Sequence, residues 1–265
     1  MQCFEAHLDS ELRKACQEWK THMEAGRMAF ESGLFSAAAR NYRRALSIVD
    51  DVNLGPEFRA CTSLKMAQCD LKLGLLEEAE AMFKQVISLD QNCPDPHGYD
   101  VAVDMSELAM LYLKMGRLES AENLLVQAVQ ILETLGPKTA PDLAKALKNL
   151  GIVHCRETHY SDAEKCLKRA ICLCSGFKND QRLYSMILAA MSGLAAARGR
   201  LSEARELIEQ AIEKLEIATG GQHPDLAKIL ELGSDIMNKN GLHLEAETYK
   251  HRADSIRRHV HSIDR

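Results

Sequence analysis

The sequence predicts an all-α fold, a right-handed superhelical solenoid of six helix-turn-helix repeats, each about 42 residues long. Composition is the first observation behind this. Hydrophobic residues make up 46%, charged residues 27% and aromatics only 5%, a globular balance rich in the strong helix formers Ala, Leu, Glu and Lys. The second is a position that recurs as Gly33, Gly74, Gly116, Thr158, Gly199 and Gly241, at spacings of 41, 42, 42, 41 and 42. A fixed period of this length marks stacked helical pairs. Third, small residues keep step with it. Ala38, Ala79, Ala121, Ala163, Ala204 and Ala246 stand five places after it, and Gly26, Ala67, Ala109, Gly151, Ser192 and Ser234 seven places before. Twelve places after it come Ala45, Val86, Ala128, Ala170, Ala211 and Ala253.

Each column has a packing reason. Glycine ends the first helix of a pair, where a left-handed cap is cheap only without a Cβ. Small residues on facing positions let two helix axes approach. Nine places after the glycine a larger side chain fills the gap: Tyr42, Phe83, Leu125, Leu167 and Ile208. The sixth repeat has Lys250 there, with Tyr249 beside it, and Thr158 in the glycine column predicts a distorted turn.

The elements follow in order. First helices are expected over about 7–32, 57–73, 100–115, 141–157, 181–198 and 224–239, and second helices over about 36–50, 77–89, 119–135, 161–175, 202–218 and 243–260. Residues 1–18 form an N-terminal helical extension of the first helix, carrying Leu8, Leu12, Ala15 and, just beyond, Trp19 at helical spacing, and residues 19–265 the solenoid, one domain with it. The Glu77-Glu78 pair suits the positive end of a helix. The connector at 90–100, with Pro94, Pro96 and Gly98, reads as a long loop, with a hinge as the alternative. Leu135-Gly136-Pro137 before Pro141-Asp142, and His223-Pro224-Asp225, place proline and aspartate at helix starts. The last helix, with Glu245, Glu247, Lys250, Arg252, Arg257 and Arg258, shields the end of the solenoid.

Leu108-Ala109 with Tyr112, Ala38 with Tyr42, and Ala79 with Phe83 resemble the tetratricopeptide (TPR) pattern. That pattern usually repeats every 34 residues; the longer period here resembles the kinesin light chain type, over roughly residues 19–260. The resemblance implies a TPR-like protein-binding solenoid. It does not extend to the chaperone-tail clamp of other TPR domains, because repeats one and two offer Met23, Arg27, Leu64 and Gln68 where that clamp uses lysine and asparagine.

Several function classes are excluded on composition and motif. A net charge of -5 and a pI near 6.1 argue against nucleic-acid binding. No run of about 18 apolar residues suggests membrane insertion, and no secretory signal opens the chain. Nine scattered cysteines suit a reducing, cytoplasmic location. Cys172 and Cys174 point to different helix faces, as do the adjacent His154 and Cys155, so no metal set and no cofactor is expected; His251, His259 and His261 read as a solvated tail. No nucleophile, phosphate-loop or dinucleotide motif occurs, and the chain reads as a non-enzyme.

A partner surface remains. First helices should line the concave side, and their inner stripe is apolar in repeats two, three and five, and small as well in repeat five, while repeat four is basic. A peptide-binding groove is therefore expected at Met110, Leu113, Lys114, Lys145, Lys148, Asn149, Ile152, Arg156, Met186, Ala189 and Gly193. An apolar floor beside a basic rim suits a protein or peptide segment that is acidic with apolar anchors. The Lys148-Asn149-Leu150 stretch fits the basic groove that the kinesin light chain resemblance implies. The alternative is a structural subunit of a larger complex or homo-oligomer, assembled through solenoid surfaces.

Overall fold

The computed structural model describes residues 2–91, 98–175 and 180–264. Twelve α-helices and one short 3-10 turn account for the secondary structure of the described residues, with no strand among them. They are α1 (Gln2–Glu31), α2 (Phe35–Val52), α3 (Pro56–Leu73), α4 (Leu76–Gln91), α5 (Gly98–Lys114), α6 (Leu118–Leu135), α7 (Ala140–Arg156), α8 (Tyr160–Ser175), α9 (Gln181–Ala197), α10 (Leu201–Thr219), α11 (Pro224–Lys239) and α12 (His243–Asp264). The expected helices are all present, paired as antiparallel neighbours in sequence order. Most of the 90–100 connector, residues 92–97, lies outside the described residues. The chain forms two compact units, one built on Met1–His97 and one on Gly98–Ile263.

The repeat columns are the core of each hairpin. Ala38, Ala79, Ala121, Ala163 and Ala204 have no solvent exposure, and the facing Phe83, Leu125, Leu167 and Ile208 have none either. The small column exists to seat the large one. A Cβ on Gly26 would lie 2.5 Å from the Tyr42 ring, and one on Gly151 would lie 2.8 Å from Leu167 Cγ. Where serine takes the position, its hydroxyl is satisfied by the facing helix: Ser192 donates to the Ala204 carbonyl at 2.5 Å and Ser234 to that of Ala246 at 2.8 Å. The sixth repeat solves its misfit by one step of register. Lys250 is exposed, and Tyr249 instead covers Gly233, whose absent Cβ would stand 2.9 Å from the ring.

Every first helix of known end closes through the same turn. Gly33, Gly74, Gly116, Gly199 and Gly241 have φ between 75° and 86°. Thr158 has φ 63° and keeps that turn undistorted. Its N–H bonds the Cys155 carbonyl and the next N–H, that of His159, reaches His154 O at 2.8 Å, the pattern that Gly116 and Arg117 make with Leu113 and Tyr112. The expected distortion is absent because the turn constrains backbone dihedrals, and threonine adopts them at an energetic cost.

Within the first unit, Trp19 Nε1 donates to Thr62 Oγ1 at 2.9 Å and packs edge-on against Phe58. Tyr42, with Ala38, Ala39, Met66 and Cys69, forms its core. In the second unit α11 starts as the sequence suggests. Pro224 sits in its first turn, and His223 Nδ1 accepts from Asp225 N at 3.1 Å. On α12, Ala246, Ala253 and Ile256 are buried, while Arg252 and Arg257 pair with Glu216 and Glu231.

Candidate peptide-binding face

In the second unit the first helices of successive repeats touch: α5 against α7, α7 against α9, and α9 against α11. Ties one repeat apart fix their register. The Tyr99 hydroxyl donates to Asp142 Oδ2 at 2.6 Å, Arg182 pairs with Asp225, and Arg156 Nη1 donates to the Leu113 carbonyl at 2.9 Å. By repeat register, Met110, Ile152, Gly193 and Asp235 stand at one level and Val103, Lys145, Met186 and Lys228 at another.

Burial divides the expected groove residues into three groups. Met110, Ile152, Met186 and Gly193 are half-buried, leaving a discontinuous apolar surface across repeats three to five. Lys114, Lys145 and Arg156 are exposed. Leu113, Lys148, Asn149 and Ala189 are buried, Lys148 and Asn149 each at 6% exposure. Lys148 therefore lies in the packing and not on an open rim. A buried ammonium persists only when compensated, and Lys148 is engaged by a partner, as is Asp104, buried on the neighbouring α5.

The accessible cations are partly committed. Lys145 Nζ lies 2.9 Å from Asp142 Oδ1, the carboxylate that also accepts from Tyr99. That hydrogen bond, with burial, pushes the Tyr99 hydroxyl up to about 12. Arg156 ties the end of α5 to α7 with one of its five donors and keeps exposed surface. Exposed pairs of this kind contribute little stability and exchange readily for another carboxylate.

The fold also assembles groups that helical spacing does not reveal. Asp142 joins the face through Tyr99 and Lys145. Across the α7–α8 turn, His154, Glu157 and His159 come together, with Glu122 of α6 against His154. The available signal was a histidine on each side of a threonine that stands in the glycine column.

Helical hairpins with this column pattern define a tetratricopeptide-type repeat protein with repeats of the kinesin light chain length. The chain belongs to the MalT-like TPR region family, whose model matches residues 22–219. No curated protein sequence matches it significantly. Among solved structures it is similar to a Rap protein complexed with competence and sporulation factor, at a TM-score of 0.73 and 16% identity over 96% of this chain and 66% of that one. It is also similar to BtubC from P. vanneervenii, at a TM-score of 0.58 and 18% identity over 96% and 92% of the two chains. A putative kinesin light chain from Podosopora anserina, with nearly identical TPR-like repeats, gives 0.54 at 19% identity over 75% and 95%. At these identities the likeness is one of fold. No described helix is long and apolar enough to cross a membrane.

Proposed function

We propose that this protein is a non-catalytic scaffold or adaptor of the cytoplasm, whose second unit holds a partner segment on the first-helix face of repeats three to five. The segment carries apolar anchors and carboxylates. One observation carries the reading: the half-buried Met110, Ile152 and Met186 stand beside the exposed cations Lys114, Lys145 and Arg156. Apolar side chains that keep accessible surface between charged neighbours gain from a covering partner, and the cations select an acidic one and speed its capture. Gly193 lets a backbone come close to α9 at the same level. The complex of a Rap protein with competence and sporulation factor supports the use of such a fold for binding.

The test is affinity purification with mass spectrometry, comparing the wild type with a Lys114→Glu/Lys145→Glu double variant and with Ile152→Asp. A peptide from the captured partner is then titrated by fluorescence anisotropy. The double variant should bind at least about tenfold more weakly, an effect that shrinks at high salt, with helicity unchanged. Lys148 is avoided because a buried substitution would confound binding with folding. Equal capture by all three proteins would remove this face from consideration. Light scattering on the same samples separates peptide capture from self-assembly.

A further inference from the structure

We propose that the α7–α8 turn is a binding site for one divalent ion of the zinc class, held by His154, Glu157 and His159, with Glu122 as a fourth ligand. The ligand atoms of His154, Glu157 and His159 all lie within 4.8 Å of one another. His154 Nδ1 is 3.9 Å from Glu157 Oε2 and 3.5 Å from Glu122 Oε1, and His159 Nδ1 is 3.6 Å from Glu157 Oε2. These separations are long for hydrogen bonds. They approach the edge of a tetrahedron around zinc, about 3.4 Å for metal–ligand bonds of about 2.1 Å.

Two further observations point to a ligand. His154 Nδ1 and Glu157 Oε2 are both inaccessible to solvent, and neither has a hydrogen-bond partner among the described residues. Both atoms belong to the ligand set, so an ion between them satisfies two orphaned buried groups at once. The turn is also the C-terminal end of α7, where the helix dipole favours a cation. His159 is 62% exposed and leaves an entry path. Two imidazoles with one or two carboxylates suit zinc and its borderline neighbours better than calcium or magnesium, which prefer oxygen alone. Because Glu122 comes from α6, the bound ion would staple repeat three to the turn of repeat four.

The full chain, stripped with a chelator, is titrated with zinc chloride by calorimetry, and cobalt uptake is followed by visible absorption. One ion per chain is expected, with the intense bands of tetrahedral cobalt. Removing even an outer-shell partner of a metal site weakens affinity about 10–100-fold. His159→Gln and Glu157→Gln, which each delete a direct ligand, should therefore lose about a hundredfold or more. His159 is exposed, so its variant should keep wild-type helicity; His259→Gln/His261→Gln should bind as the wild type does. Absence of stoichiometric zinc uptake overturns the proposal. So does uptake that survives both turn variants or that disappears with the His259/His261 pair.

Discussion

Gly151 and Gly193 sit in the interiors of α7 and α9, yet alanine should stabilise the protein at Gly193 and be neutral to destabilising at Gly151. Replacing helical glycine by alanine gains about 1 kcal/mol from backbone entropy at either position. At Gly193 a Cβ would meet nothing within 4 Å, so Gly193→Ala should stabilise by about that amount. At Gly151 the new Cβ would lie 2.8 Å from Leu167 Cγ, 2.9 Å from its Cδ2 and 3.3 Å from the Ala163 carbonyl. Leu167 is fully buried and the carbonyl belongs to the α8 backbone, so neither can step aside without parting the two helices. Overpacking of this kind costs about 1–3 kcal/mol, and the variant should be less stable than Gly193→Ala by that full amount, because the entropy gain is common to both. Urea unfolding followed by circular dichroism measures the difference, with equal slopes for the two variants as the control. A second cycle with Leu167→Ala locates the cost, since the Gly151→Ala penalty should fall when the leucine is shortened. Equal stability of the two alanine variants, or greater stability of Gly151→Ala, would refute the assigned hairpin packing.

Thr158→Gly should raise stability by about 0.5–1 kcal/mol. Relief of a left-handed β-branched residue is worth about 1–2 kcal/mol, and the extra freedom of unfolded glycine offsets about 0.5–1 of it; a lower urea midpoint would contradict this. Burial raises the Cys69 thiol from its ordinary range to about 12. Its contribution to the first unit is therefore complete below pH of about 9 and lost as pH rises toward about 12, at about 1.4 kcal/mol per pH unit. Trp19, the single tryptophan, lies in the same unit and reports its unfolding. Cys69→Ala should flatten part of that alkaline slope, and an unchanged slope would sink the assignment.

The fold was legible because the repeat writes its packing into residue size. A column of small residues facing a column of large ones 16 places later is a contact stated in one dimension, and the pairs Gly26–Tyr42 and Gly151–Leu167 realise it. Where the side chain stopped being the relevant variable, the reading weakened. Thr158 breaks the glycine column chemically and preserves it conformationally, since its φ of 63° does what glycine does elsewhere. Depth was illegible for a related reason. Helical spacing gives the angle of Lys148 around α7, but how far it sinks depends on α5 and α9 on either side, and those flanks carry the buried Asp104 and Ala189.

The α7–α8 turn was hidden by a different limit. Periodicity predicts contacts along one helix face, and at a chain reversal it has no meaning. His154 and His159 are five residues apart, a spacing that separates them on a continuous helix, yet the left-handed turn brings their rings to 6.2 Å. Repeat four thus departs from the repeat pattern at its turn. It has threonine for glycine, histidines on both sides of the turn and an arginine bound to the previous repeat. None of these improves the packing of a hairpin that the other repeats build with glycine alone. Local violations of a consistent pattern tend to gather where a protein does something besides fold. The same helix, α7, supplies Lys145, Ile152 and Arg156 to the proposed binding face and His154 to the proposed ion site. Repeat four is therefore the place where substitutions should separate binding from stability.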